Sequence, residues 1–294
     1  MKGNRFLTVL LFALVMICAS PALAKVKVVV SIYPVGDMVR QVGGDHVTVT
    51  VLIPAGASPH TFDPPPSLVR KLASADVFFK IGAGLEMWAD KLVAASGNKK
   101  LKVITLSDGM ELLDAEEHEE HEHGQTANPH IWLDPVLAKE MAAKIAKELQ
   151  SLDPQNALIY EARKARFTQE LGMLDTKIRN SISTFRIKEF VSFHPAFSYF
   201  AKRYGLKSIG VIERKPGLNP TPKEIQNIVD SVRKYGIKAV FAEPQFNKEV
   251  AEAIAKNAGV KVLIIDPLGG PDTGRDTYIK LLEYDLKILE ESMK

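Results

Sequence analysis

Apolar residues along this chain alternate between two patterns, short β-branched runs and stretches with helical spacing. In the first half, short runs predict strands at 26–32, 47–53, 77–81 and 102–106. Between and after them, helical spacing predicts helices at 34–42, 66–75, 85–95 and 135–152. Strands that alternate with helices are typical of a mainly parallel sheet that helices cover on both faces.

One helical stretch near the middle of the chain is longer than a single lobe requires. Asp153 followed by Pro154 is typical of a helix start, with aspartate as N-cap and proline at the first helical position. The apolar residues after them share one helix face: Tyr160, Phe167, Leu171, Leu174, Ile178 and Ile182. A helix over 154–183 would be about 45 Å long. We expect it to connect two lobes.

The alternation resumes beyond this helix. Strands are predicted at 189–193, 206–212, 239–242 and 260–265. Helices are predicted at 196–204, 222–235, 248–258 and from about 275 to the end. The sequence therefore predicts an α/β fold of two lobes, each with a mainly parallel sheet flanked by helices. Their bounds are 25–152 for the N-terminal lobe, 153–183 for the rigid linking helix and 184–294 for the C-terminal lobe.

The first 24 residues are typical of a secretory signal peptide. Lys2 and Arg5 precede an apolar run, and small residues follow it at 21–24. The run is shorter than the roughly 20 residues that cross a bilayer, and no later segment is more apolar, so we expect no spanning helix. Cys18 allows lipid anchoring as a competing interpretation, although Ile17 stands where a small residue is expected.

Composition narrows the classes of function. The 294 residues are 46% hydrophobic and 25% charged, as in soluble globular proteins. Removal of the signal peptide would lower the formal net charge from +3 to +1, which gives no electrostatic reason to expect nucleic-acid binding. It would also remove the one cysteine, which excludes disulfides and thiolate ligands from the mature chain.

Candidate metal ligands follow the predicted strands. His60, His194 and Asp266 come after strands, where open parallel sheets bind ligands, and His130 ends a long loop. Three imidazoles and a carboxylate form a tetrahedral set suited to zinc. Each residue also has an ordinary interpretation, because histidines beside prolines are often turn residues and Asp266 could cap a turn. Their joint placement favours a metal site.

An acidic, histidine-rich loop lies at about 115–127. Residues 116–123 contain five carboxylates and three imidazoles. A solvated acidic loop and a weak metal-binding loop explain this composition equally well. His118 and His121 are three residues apart, whereas the zinc metalloprotease motif requires four.

Four segments together resemble a known family. They are 59–64 (PHTFDP), 128–135 (NPHIWLDP), 192–200 (SFHPAFSYF) and 265–268 (IDPL). The chain from 25 to 294 resembles the metal-specific solute-binding proteins of ABC importers, some of them linked to cell adhesion, and in particular the periplasmic zinc-binding group. The resemblance implies that His60, His130, His194 and Asp266 bind Zn²⁺ in a cleft between the lobes. Some zinc-binding members carry a glutamate where this chain has Pro59, so here Asp266 or water must complete the site.

The resemblance implies a non-enzymatic, monomeric carrier that captures Zn²⁺ in the periplasm and delivers it to a membrane permease. A manganese or broad-specificity carrier is an alternative, although manganese-binding members carry a carboxylate in place of His194 and imidazole suits zinc. Because imidazoles bind metal when neutral, binding should weaken as the pH falls through about 6.5. A periplasmic zinc hydrolase is less favoured, because Glu243, the one candidate base, is better interpreted as a residue that orients a ligand histidine.

Overall fold

Strands and helices alternate through both halves of the chain, as the apolar pattern predicts. The structure is a computed structural model that describes residues 24–114, 127–214, 217–271 and 273–294. The signal segment through residue 23 and most of the acidic, histidine-rich loop, residues 115–126, lie outside the described residues.

The N-terminal half is built on one parallel sheet. Its strands are β1 (Val26–Val30), β2 (Val47–Val51), β3 (Val77–Lys80) and β4 (Lys102–Thr105), in the order β2-β1-β3-β4. Its helices are α1 (Tyr33–Gly43), α2 (Ser67–Ala73), α3 (Ala89–Ser96) and α4 (Pro135–Leu152). Val28 and Val30 belong to one apolar cluster and Val29 to another, so β1 is buried on both faces.

Helix α3 begins four residues later than predicted, because a tight turn precedes it. Gly82, Ala83 and Gly84 all have positive φ angles, of 84°, 49° and 81°. The buried carboxylate of Glu86 accepts hydrogen bonds from the backbone N–H groups of Ile81 and Gly82, both at 2.9 Å. These bonds stabilise a turn where helical spacing alone predicts a helix.

The long helix is present as α5 (Ala157–Ser183), and its 27 residues extend about 40 Å. All six residues of the predicted apolar face are buried. The predicted cap differs, because residues Pro154–Asn156 form a 3-10 turn. The Asp153 carboxylate accepts hydrogen bonds from Asn156 Nδ2 and Tyr160 Oη, at 2.8 and 2.6 Å, and from no backbone N–H of the turn.

The C-terminal half contains two short parallel ladders in place of the one continuous sheet that was predicted. They pair β5 (Glu189–Ser192) with β6 (Lys207–Val211), and β7 (Ala239–Ala242) with β8 (Lys261–Ile264). Strands β5 and β7 lie side by side, with no hydrogen-bonded ladder between them in the described part of the chain. The helices are α6 (Ser198–Tyr204), α7 (Pro222–Tyr235), α8 (Glu249–Ala258) and α9 (Tyr278–Met293).

One hydrophobic core joins the two halves. It includes β1, α1 and α4 from the N-terminal half, the apolar face of α5, and α6 and α9 from the C-terminal half. Trp132, Phe167 and Tyr278 are among its largest fully buried side chains. Because this core is continuous, the lobe boundaries near 152 and 183 stay a prediction. No helix in the described ranges is both long and apolar enough to cross a membrane.

The apolar face of α5 gives a stability prediction. Leu171 is fully buried and Leu158, on the same helix, is 85% exposed. Leu171→Ala should lower the free energy of unfolding by about 2–5 kcal/mol, because it leaves a cavity in the shared core. Leu158→Ala, the matched control, should change it by less than about 0.5 kcal/mol. Urea denaturation of metal-free protein measures both, and equal effects would show that the face is assigned wrongly.

Candidate metal centre

Three of the four predicted ligands converge at one point. His60 lies in the loop after β2, His130 starts a 3-10 turn before α4, and His194 lies two residues after the end of β5. His130 Nε2 lies 3.0 Å from His60 Nε2 and 3.1 Å from His194 Nε2. One nitrogen of each ring lies within 4.8 Å of the others, so these three residues could hold a metal ion together.

Asn128 fixes the orientation of His130. Its Oδ1 accepts hydrogen bonds from the backbone N–H of His130, at 2.9 Å, and from His130 Nδ1, at 2.7 Å. Asn128 Nδ2 also donates to the carbonyl of Pro195, at 2.9 Å, next to His194. Because the proton of the His130 ring is on Nδ1, its Nε2 carries a free lone pair toward the other two rings.

Glu243 orients His194 in the same way. The carboxylate follows β7, is 1% exposed, and accepts a hydrogen bond from His194 Nδ1 at 2.7 Å. The sequence assigned this role to Glu243, and the hydrogen bond agrees with it. A carboxylate on Nδ1 leaves Nε2 unprotonated and more basic, as in many zinc sites.

The directions of these lone pairs indicate whether the cluster can accept a metal ion. Nε2 of His130 and Nε2 of His194 are both unprotonated and face each other at 3.1 Å, so the two lone pairs repel unless a cation lies between them. Zinc–nitrogen bonds of about 2.0–2.1 Å in a tetrahedron place ligand nitrogens roughly 3.3–3.4 Å apart. The pairs that His130 forms with His60 and His194, at 3.0 and 3.1 Å, are therefore within a few tenths of an ångström of the separation in a zinc complex.

Burial favours the neutral form of His60 and His130. His130 and His194 are 3% and 4% exposed, and Trp132 and Phe246 pack on them with ring centroids 5.1 Å away. Burial is the main cause that lowers the pKa of His60 to about 3, and the neighbouring His194 ring contributes in the same direction. Burial, followed by His194 and His60, lowers the pKa of His130 well below 6.5. These two ligands therefore remain neutral below pH 6.5, so protons should compete with metal for them at lower pH than the sequence predicts.

Asp266, the fourth predicted ligand, is not part of the cluster, and it is linked to the cavity lining through Gln245. Its Oδ1 accepts hydrogen bonds from Gln245 Nε2 and from the backbone of Leu268 and Gly269, at 3.0, 3.0 and 3.1 Å. Its Oδ2 accepts one from Arg275 Nε at 2.7 Å. The turn-capping interpretation of Asp266 is thus confirmed, and its role as a metal ligand stays a prediction.

The histidine cluster faces a cavity that both halves of the chain line. The N-terminal half contributes Ser58, Pro59, His60, His130 and Trp132. The C-terminal half contributes His194, Glu243, Gln245, Phe246, Pro267 and Leu268. Asn128, Gln245 and Arg275 were not predicted. Only Asn128 had a local signal, since an asparagine two residues before a histidine can bond its N–H.

The fold and the histidine cluster define the class of protein. A two-part α/β chain with one long central helix and three clustered imidazoles between its halves has the architecture of the metal-specific solute-binding proteins. Over residues 28–292, the chain matches the family described as zinc-uptake complex component A, periplasmic (ZnuA), and it belongs to that family.

Relatives and solved structures resemble the chain along its length. The zinc-binding lipoprotein AdcA of Streptococcus pneumoniae is 32% identical over 306 aligned positions, which cover 99% of this chain and 61% of AdcA. The chain spans about half to three fifths of the length of the AdcA relatives. A zinc-bound ZnuA deletion mutant is 34% identical with a TM-score of 0.83, covering 92% of this chain and 98% of that one.

A third similar structure is the laminin-binding protein Lmb of Streptococcus agalactiae, described as a bifunctional protein with adhesin and metal-transporting activity. It is 36% identical with a TM-score of 0.82, covering 92% of this chain and all of the other. This likeness agrees with the predicted resemblance to adhesion-linked carriers.

The lowered pKa of His60 predicts how metal-free protein responds to acid. Above pH 6.5 the imidazole is neutral in the folded and unfolded chains, so it does not alter stability. As the pH falls from 6.5 towards about 3, the unfolded chain binds a proton that the folded chain does not. The free energy of unfolding should then fall by up to about 1.4 kcal/mol per pH unit for this group.

Urea denaturation between pH 7.5 and 4.5, with chelator present, measures this dependence. His60→Gln cannot titrate at this position, so its stability should fall less steeply with acid than that of the wild type. Identical slopes for the two proteins would contradict the lowered pKa.

The Glu243 hydrogen bond predicts a loss of zinc affinity on its removal. Glu243→Ala should weaken zinc binding by about 10–100-fold, because His194 loses the group that sets its tautomer and orientation. Glu243→Gln still offers an oxygen to His194 Nδ1 and should lose less. Competition titration with a chromophoric chelator measures both. Wild-type affinity in Glu243→Ala would rule out the orienting role.

Proposed function

We propose that the mature chain captures Zn²⁺ with high affinity in the periplasm and delivers it to the membrane permease of an ABC importer. The observation that carries this proposal is the convergence of three imidazoles, two of them buried and held by Asn128 and Glu243 with their lone pairs facing inward. An all-nitrogen cluster of this kind suits zinc. A zinc-bound relative of the same fold supports it.

The proposed ligands are His60, His130, His194 and Asp266. The three imidazoles form the permanent part of the site, because their geometry is already close to that of a zinc complex. Asp266 is joined to the cavity lining through Gln245, and its Oδ2 has a single hydrogen-bond partner. This oxygen keeps a further lone pair, so Asp266 can complete the tetrahedron, and a water molecule takes the fourth position where it does not.

The same ligand set argues for zinc over manganese. Manganese prefers oxygen ligands and a higher coordination number, and divalent manganese lies below zinc in general affinity. Here the three pre-arranged ligands are nitrogens, and the carboxylate of Asp266 is already paired with Arg275. A manganese or broad-specificity carrier is the alternative that the titration below tests.

We propose a carrier and not an enzyme. A zinc hydrolase needs a general base near a metal-bound water. Glu243, the candidate base, has Oε1 bonded to His194 Nδ1, on the side of the ring opposite Nε2. Its position therefore fits a residue that orients a ligand better than one that removes a proton from water.

The site of action and the partner follow from the family and the sequence. A cleaved signal peptide at 1–24 would place the mature chain in the periplasm, where it would work as a monomer with the permease and bind no nucleic acid. The acidic segment 116–123 would gather zinc loosely for the main site. That segment lies outside the described residues.

Removing one proposed ligand tests the function. His130→Ala should weaken zinc binding by several kcal/mol, because structural zinc sites contribute roughly 10–16 kcal/mol through four ligands. His46→Ala is the matched control, since His46 packs on Tyr160 away from the cluster. Competition titrations should also show zinc binding far more tightly than manganese to the wild type.

Two results would contradict the proposal. A shift of less than about threefold in His130→Ala would show that the ligand assignment is wrong. Equal affinity of the wild type for both metals would indicate a manganese or broad-specificity carrier.

A further inference from the structure

The two oxygens of Asp266 have different surroundings. Oδ1 accepts three hydrogen bonds, all from neutral donors, whereas Oδ2 accepts a single bond from the Arg275 guanidinium at 2.7 Å. The Asp266 side chain is 2% exposed and that of Arg275 is 19% exposed. Oδ2 is therefore the oxygen that can change partner, and its present partner is a cation.

The loop after β8 holds Arg275 in this position. Gly269 has a φ of +62°, and a Cβ atom there would lie 2.6 Å from the carbonyl oxygen of Arg275. Gly270 donates its backbone N–H to the same oxygen at 3.3 Å. Only a residue without a side chain fits at 269, so this close approach fixes the backbone of Arg275 while its side chain reaches Asp266.

The Arg275 guanidinium also contacts a second group, the aromatic ring of Tyr284. Its Cζ lies 4.6 Å from the centroid of the Tyr284 ring, within range of a cation–π contact. Losing the bond to Asp266 would therefore leave the guanidinium in contact with an aromatic face and partly in water. This lowers the cost of releasing Oδ2, but the attraction between the two charges still opposes it.

We propose that Arg275 competes with the bound metal for the carboxylate of Asp266, and that this competition sets the preference for zinc over manganese. The inference rests on the proposed function of the histidine cluster. Oδ2 keeps a further lone pair, but a metal that binds there must do so against the attraction and the positive charge of the Arg275 guanidinium. Zinc, which three imidazoles and one small ligand can satisfy, loses little when the carboxylate is withheld. Manganese prefers oxygen ligands and loses more. Arg275 is thus a specificity-determining residue that need not touch the metal.

The test compares manganese and zinc affinities in four proteins: wild type, Arg275→Met, Asp266→Asn and the double variant. Competition titration of each purified full-length mature protein gives the dissociation constants. Arg275→Met should raise manganese affinity by about tenfold and zinc affinity by less, because it frees a charged oxygen ligand. The gain should vanish in the Asp266→Asn background, where no carboxylate is freed.

Two further variants separate this mechanism from general effects. Arg166→Met removes one exposed arginine from α5, and it should leave the ratio of zinc to manganese affinity unchanged. Arg275→Gln keeps a hydrogen-bond donor without the charge, so the loop can fold as in the wild type, and it should shift the ratio in the same direction as Arg275→Met.

The outcomes are distinguishable. Wild-type protein that does not bind zinc tightly would overturn the proposed function itself. Tight zinc binding with an unchanged or lowered manganese affinity in both Arg275 variants would overturn only the role of Arg275. An equal gain in the Asp266→Asn background would also overturn it, since the effect would then be one of overall charge.

Discussion

The burial of Trp132 between the two halves is the contact on which the geometry of the site depends. Its indole Nε1 donates a hydrogen bond to the Pro267 carbonyl at 2.7 Å, and its own carbonyl accepts one from Tyr278 Oη at 2.6 Å. These bonds join the loop of His130 to the loop of Asp266 and to the start of α9. The N–H of Tyr278 donates to the buried carboxylate of Asp37 in α1 at 2.8 Å, which ties α9 to the N-terminal half. Ligands from distant parts of the chain are thereby held at fixed separations before any metal arrives.

The chemistry of the site follows from two features: His130 and His194 are buried away from water, and hydrogen bonds fix the orientation of their rings. Trp132 packs on the buried His130 ring, and burial there lowers the pKa of this imidazole. Asn128 and Glu243 accept hydrogen bonds from Nδ1 of His130 and His194, which leaves Nε2 of each ring as an acceptor. The fold therefore holds the negative ends of two imidazole dipoles against each other, which costs free energy. A divalent cation between them relieves that repulsion.

Local signals explain what could be predicted from the sequence. Helix α4 has its predicted bounds because Asp134 caps it and Pro135 occupies its first position. The buried face of α5 follows directly from residue spacing. Three of the four candidate ligands meet as expected, since each follows a strand or a proline-stiffened loop. The features that were not predicted depend on tertiary contacts. The turn at Glu86 and the pairing of Asp266 with Arg275 do not alter the spacing of apolar residues, so the sequence pattern does not reveal them. The separation of β5 from β7 concerns strands that are 50 residues apart in sequence.

The shared core around α5 has a consequence for how such proteins can diverge. Residues from both halves pack against one face of this helix, so each half depends on it to bury part of its apolar surface. An exchange of one half between distant relatives would join helix faces that had not adapted to each other, and the mismatch would be buried, where packing tolerates little change. New metal preferences are therefore more accessible through substitutions in the loops around the cluster than through recombination of halves. Because both halves pack on α5, a substitution at this interface in one half favours a matching substitution in the other.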